Sequence, residues 1–188
     1  SELLVPSGVL LVSADGPLAA KIYSNDKSAV RFWEVQDAGI DGFEIYGDWN
    51  DGSPGDGLVR IFDSDRITVR NGIIRDAPSA QDLVKATGAL EGLLLENLIL
   101  VNPGKPAGSN QFQQAVEIYG SKAPDGLTPS IRDVTIRGCW FMQTHEVGGD
   151  DMLFLRASVA DVLIENNVFG PSSGPGGASR PAVHIGTY

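Results

Sequence analysis

The hydrophobic pattern along the chain repeats. Six short segments, residues 28–33, 57–62, 82–87, 114–119, 151–156 and 181–186, alternate apolar with polar positions at the two-residue period of a strand. Their first inward residues are Val30, Val59, Val84, Val116, Leu153 and Val183, at intervals of 29, 25, 32, 37 and 30 residues. A second alternating segment follows each of the first five: 43–47, 67–71, 93–97, 134–138 and 162–166. Each of these ends in Gly or Asn, the residues that best tolerate a left-handed backbone at a sharp corner. A third short apolar run then appears, as at Ile73-Ile74, Leu98–Leu100, Trp140-Phe141 and Val168-Phe169. A loose repeat with no helical periodicity excludes the helical solenoids. An antiparallel sandwich would show the alternation without the recurrent corner. The pattern predicts an all-β fold, a right-handed single-stranded parallel β-helix of six to seven rungs. It forms a single domain over 1–188, with a partial rung and cap over 1–27 and repeated rungs over 28–188, either whole or part of a longer chain.

Two rung sequences carry a resemblance. Residues 65–76, Asp-Arg-Ile-Thr-Val-Arg-Asn-Gly-Ile-Ile-Arg-Asp, and 162–169, Val-Leu-Ile-Glu-Asn-Asn-Val-Phe, are similar to rungs of the pectin-lyase-like superfamily. The similarity runs over nearly all of the chain from about residue 28. It implies the same β-helix and a role directed at polysaccharide. Activity is left open, because that superfamily holds lyases, glycosidases, epimerases, phage tailspikes and adhesins.

Composition narrows the classes. The 188 residues make one domain with a real core, and 42% hydrophobic against 20% charged residues is a globular balance. A net charge of −10 argues against nucleic acid as partner. The single Cys139 excludes an intrachain disulfide or a multi-cysteine zinc site, and two His exclude a histidine-rich metal centre. There is no apolar run of the ~18–20 residues that a membrane helix needs. No leader pattern is visible at the Ser1 start, which reads as a mature or trimmed form; the polysaccharide-directed reading is what places the chain outside the cell or on a virion or cell surface.

The candidate chemistry lies on the outward positions. The residues after the inward ones are Arg31, Arg60, Lys85, Glu117, Phe154 and His184, and two places on stand Trp33, Phe62, Thr87, Tyr119, Arg156 and Gly186. Stacked at the interstrand spacing, Arg31 to Glu117 would span about 14 Å, enough for a short oligosaccharide. One reading is a groove for an acidic polysaccharide, with Arg31, Trp33, Phe62, Tyr119 and Arg156 binding it through aromatic faces and guanidinium forks. The other is a solvated sheet face made of ordinary strand formers. Were the groove catalytic, β-elimination on a uronic acid polymer fits best. Lys85 would take the proton, with Arg60 and Arg31 on the substrate carboxylate. Glu117 would then either hold a cation or form a salt bridge that defeats the mechanism.

A second candidate is acidic. Gly148-Gly-Asp150-Asp151, preceded by His145 and Glu146, resembles the Gly-Asp-Asp segment of the polygalacturonase family. That resemblance implies catalytic roles for Asp150 and Asp151 as acid and water-activating base, with Asp125 as a further acid. The family's histidine on the next rung would fall at Arg180 or Pro181, whereas this chain has His184. A polar turn entering the strand is the plainer reading of the same residues. Glu117, Asp151, Asp150 and Glu146 have the ligand chemistry to share a Ca²⁺, and surface acidity accounts for them as well, with no cofactor. The expected partner is an acidic polysaccharide, with a side-by-side homotrimer covering exposed flanks. The rival function is a non-catalytic rod of a tailspike, virion or adhesin.

Overall fold

The computed structural model describes residues 2–24, 27–48, 57–78, 81–104, 113–121, 128–144, 152–172 and 182–186, and every element among them is a strand. An opening partial coil holds β1 (Leu3–Leu4), β2 (Leu10–Val12) and β3 (Ala20–Tyr23). Five full coils follow. They are β4 (Val30–Trp33), β5 (Gln36–Asp41) and β6 (Phe43–Tyr46); β7 (Gly57–Phe62), β8 (Asp65–Arg70) and β9 (Ile73–Arg75); β10 (Asp82–Gly88), β11 (Leu90–Glu96) and β12 (Ile99–Val101); β13 (Val116–Gly120), β14 (Ile131–Arg137) and β15 (Trp140–Gln143); and β16 (Leu153–Arg156), β17 (Val162–Glu165) and β18 (Val168–Ser172). A last strand, β19 (Val183–Gly186), starts a further coil. Five full coils and two partial ones are slightly fewer than the six to seven rungs expected from the sequence.

Equivalent strands stack in parallel into three sheets. The first holds β1, β4, β7, β10, β13, β16 and β19; the second and third hold six strands each. This is a right-handed parallel β-solenoid, the hand that parallel crossovers take almost without exception. The inward stack predicted from the alternation is in register, Val30 on Val59, Val84, Val116, Leu153 and Val183. All but the last are buried in one core with Phe32, Ile61, Leu95 and Phe141, while Val183 is half-buried at its end.

The corner between the second and third sheets recurs at Gly42, Asn71, Asn97, Gly138 and Asn166, all with positive φ. Asn71 Nδ2 donates to Asp41 Oδ1 at 2.8 Å and Asn97 Nδ2 to Asn71 Oδ1 at 3.2 Å, so the corner amides brace one another along the stack. The ladder stops at Gly138, where a Cβ would meet Asn97 Oδ1 at 2.6 Å. Cys139, beside it, is fully buried, and burial pushes its thiol up. One expected strand moves. Residues 43–47 belong to the third sheet, and the second-sheet strand of that coil is β5, with Ala38 on Ile67 and Asp41 on Arg70. Its sequence, Gln-Asp-Ala-Gly-Ile-Asp, hides the alternation because only Ala38 and Ile40 point into the core. Gly39 is required there, since a Cβ would lie 2.5 Å from the Thr68 carbonyl oxygen.

The outer faces differ in chemistry. Along the edge of the second sheet run Asp41, Arg70, Glu96, Arg137 and Glu165 in register, alternating in sign. Asp41 pairs with Arg70 at 2.9 Å and Glu96 with Arg137 at 2.6 Å. The third sheet is charged at Lys21, Glu44 and Arg75, then turns apolar, with Ile73, Ile99, Trp140 and Val168 in one column. The first sheet sets Arg31, Arg60, Lys85 and Arg156 beside Trp33, Phe62, Tyr119 and Phe154.

Candidate functional site

Strand register on the first sheet brings together the two outward columns read from the sequence. Arg31, Arg60, Lys85, Glu117, Phe154 and His184 are successive partners, as are Trp33, Phe62, Thr87, Tyr119, Arg156 and Gly186. At one end Trp33 and Phe62 stack with ring centres 4.3 Å apart, and the Arg31 guanidinium lies over the Trp33 ring at 4.4 Å. Trp33 keeps 40% of its surface exposed. Beside it opens a hollow of about 480 Å³ lined by Leu4, Val5, Pro6, Arg31, Trp33 and Val35. Arg31 reaches Glu2 through Nη1 at 3.0 Å, while its buried Nε has no hydrogen-bond partner among the described residues.

Further along the stack, Arg156 lies 5.1 Å from the ring centres of both Tyr119 and Phe154, and Phe154 stacks on His184 at 4.5 Å. Tyr119 is as exposed as Trp33. Two arginine-backed aromatics therefore mark the face, three strand intervals apart, about 14 Å at the usual interstrand spacing.

Between them the face is polar and closed. Arg60 is buried, its Nη2 donating to Thr87 Oγ1 at 2.6 Å and its Nη1 to the Ile61 and Lys85 carbonyls at 3.1 and 3.4 Å. It ties β7 to β10. Lys85 Nζ sits 2.8 Å from Glu117 Oε2, and Glu117 Oε1 accepts from Arg156 Nη1 at 2.9 Å. Of the two roles open to Glu117 in the sequence, the geometry has the salt bridge. An ammonium paired with a carboxylate is held in its charged form, the opposite of what a proton-abstracting lysine requires.

Beneath Lys85 lies a residue that the sequence reading missed. Asp82 has no exposed surface; its Oδ1 accepts the Gln114 N–H at 2.8 Å, and its Oδ2 stands 3.5 Å from Lys85 Nζ. Burial, and next the negative charge of Glu117, push the Asp82 carboxyl up to about 8, against the pull of Lys85 and the Gln114 N–H. Burial also works to raise the Glu117 carboxyl, but Lys85 and then Arg156 hold it below its ordinary range. Of the pair, burial makes Asp82 the one that keeps its proton toward neutral pH, and the two cations make Glu117 the one that ionises. The signal was present in the alternation, because Asp82 has the same parity as Val84 and so belongs to the inward set. With Asp82 protonated, Glu117 is the one ionised carboxylate that the two columns set against Arg31, Arg60, Lys85 and Arg156. Glu2 and Glu34 add acid at the Trp33 end.

The acidic candidate, Asp150 and Asp151 with His145, Glu146 and Asp125, lies outside the described residues, as do Arg180 and Pro181. Among the described residues no group of three or more His, Cys, Asp or Glu is placed to hold a metal ion, and Glu117 is engaged by two cations. Compared with known proteins, the chain matches no family model, no curated protein and no solved structure.

Proposed function

We propose that this chain is a pectin-lyase-like β-helix of an extracellular, virion or cell surface, whose first-sheet face binds an acidic polysaccharide. One observation carries the reading: on this face the exposed aromatics Trp33 and Tyr119 each have an arginine over the ring and lie in one column. Ring faces stack on the apolar faces of sugars, and a guanidinium beside the ring grips a carboxylate or sulfate on the same unit. That cations gather here on a chain of net charge −10 favours an anionic glycan over a neutral one. Binding is favoured over β-elimination, since Glu117 occupies the lysine that would abstract the proton.

The test is affinity for a panel of uronic-acid and sulfated oligosaccharides, together with ultraviolet detection of unsaturated product. Trp33→Ala and Tyr119→Ala should each weaken binding, by about tenfold if a ring–sugar contact of ~1 kcal/mol or a little more is lost. Added salt should weaken it further, because exposed charges are screened beyond about 8–10 Å at physiological ionic strength. Undiminished affinity in both variants would reject the site.

A second reading, a rod that packs side by side with copies of itself as a trimer, is supported by the third sheet. There Trp140 and Val168 keep 53% and 47% of their surface exposed in an apolar column. Light scattering distinguishes it. A monomeric mass for the wild-type chain at high concentration would remove this reading, and a multimer lost on Trp140→Lys would support it.

A further inference from the structure

We propose that Asp82 is a proton gate for the first-sheet face: with its proton the face binds anions, and without it Lys85 is drawn inward and binding falls. The inference rests on the acidic-glycan reading of this face and adds its regulation.

The geometry is that of two buried carboxyls competing for one ammonium. Asp82 on β10 is wholly buried and Glu117 on β13 is only 4% exposed, and Lys85 Nζ stands between them, at 3.5 and 2.8 Å. Glu117 has a second cation, Arg156 from β16, whereas among the described residues Asp82 has one N–H donor, from Gln114. From β7 the chain opposite Asp82 is Gly57, which brings no charge, and the Arg60 of that strand is turned to Thr87 and backbone carbonyls. Like charges so close in a buried site cannot both ionise freely, and the poorer-served group keeps the proton. Asp82 is that group.

Loss of the proton, to solvent base, leaves a buried anion whose Oδ2 has no hydrogen-bond donor among the described residues. Lys85, already within 3.5 Å, is the nearest cation able to answer it. The charge that faced outward is then divided between two carboxylates, and the outer columns lose one unit of positive charge. A single charge about 10 Å from a bound anion, at the effective dielectric near a protein surface, changes affinity by roughly threefold with salt screening to about fifteenfold without it. Linkage requires the reverse as well, so a bound anion should raise the pH at which Asp82 ionises.

The experiment uses the whole chain with oligogalacturonate and a sulfated oligosaccharide, whose charges do not change between pH 7 and 9. Affinity of the wild type should fall across that range, and that of Asp82→Asn should stay flat. In parallel, carbon NMR of the carboxyls should show Asp82 titrating near pH 8, with the Lys85 side-chain signals moving at the same midpoint. Glu117→Gln, which removes the competing charge and frees the lysine, should shift the Asp82 midpoint to lower pH. Titration of Asp82 in the ordinary carboxylate range overturns the gate whether or not a glycan binds. So does a wild-type affinity that is constant while Asp82 titrates near 8. Absence of binding by either glycan at every pH overturns the reading of the face, and the gate with it. The NMR titration tells that outcome from a failure of the proton pair itself.

Discussion

Asp82 has a consequence for stability apart from any ligand. In the unfolded chain its carboxyl ionises near the ordinary aspartate value of 3.8, while in the fold it keeps its proton up to about 8. Between those limits the native state binds the extra proton, so this residue's contribution falls by up to about 1.4 kcal/mol for each pH unit gained and levels off above 8. Asp82→Asn removes the ionisation and keeps an oxygen for the Gln114 N–H. It should therefore be more stable than wild type, by little near pH 4 and by several kcal/mol at pH 8, read from denaturant or thermal melts at each pH. A gain that does not grow with pH would contradict the buried protonated acid. At this scale the sequence was readable where parity alone decides orientation, which placed Arg31, Lys85, Trp33 and Tyr119 correctly on the outer face. It left open what each charge meets, the salt bridge of Glu117 being one of two roles read for it. The pairing of Lys85 with Glu117, and the burial of Arg60 against Thr87, depend on rotamers and on neighbours one coil away.

At the level of the strand and its corner, the left-handed residues hold the coils in step. Besides the corner at Gly42, Asn71, Asn97, Gly138 and Asn166, a second set leads into the second sheet at Asp37, Arg66, Gly92, Asp133 and Asp161, again all at positive φ. Asn97→Ala should destabilise the fold by about 1–2 kcal/mol from backbone strain, with a further loss from the amide bond to Asn71. Asn97→Gly should cost less, having no Cβ to strain. Equal losses in the two melts would mean that the corner amide, and not the backbone, is what matters there. The first corner was legible because Gly and Asn announce it. The second was not, because Asp37, Arg66 and Asp133 are read first as surface charges, and β5 was misplaced for the related reason that its inward residues are a small Ala38 and a lone Ile40. Gly-rich or polar strands weaken the alternation on which register reading depends.

Across the whole molecule the three flanks divide the work: cations and aromatics on the first sheet, alternating ion pairs along the second, and an apolar column on the third. The fold class and its inward stack followed from the repeat, since a period-two pattern recurring with a fixed corner leaves few other architectures. The count of coils came out slightly lower, because the opening strands, two to four residues long, make only a partial turn.

The parallel stacking has one more consequence. Every paired strand is joined only to its equivalents one coil before and one coil after, so the molecule is a linear chain of near-identical units with interactions between nearest neighbours. Such a chain melts like a one-dimensional array. Opening a terminal unit breaks one interface, whereas opening a central unit breaks two. Protection of backbone amides from hydrogen exchange should therefore be graded, highest in β10 and β13, whose inward residues are fully buried, and lower in β17, where they are half-buried, and in β19, where Val183 is half-buried and Ile185 exposed. Uniform protection across all coils would instead show a single all-or-none unit. Graded protection would let one end of the rod breathe while the face at its centre stays folded.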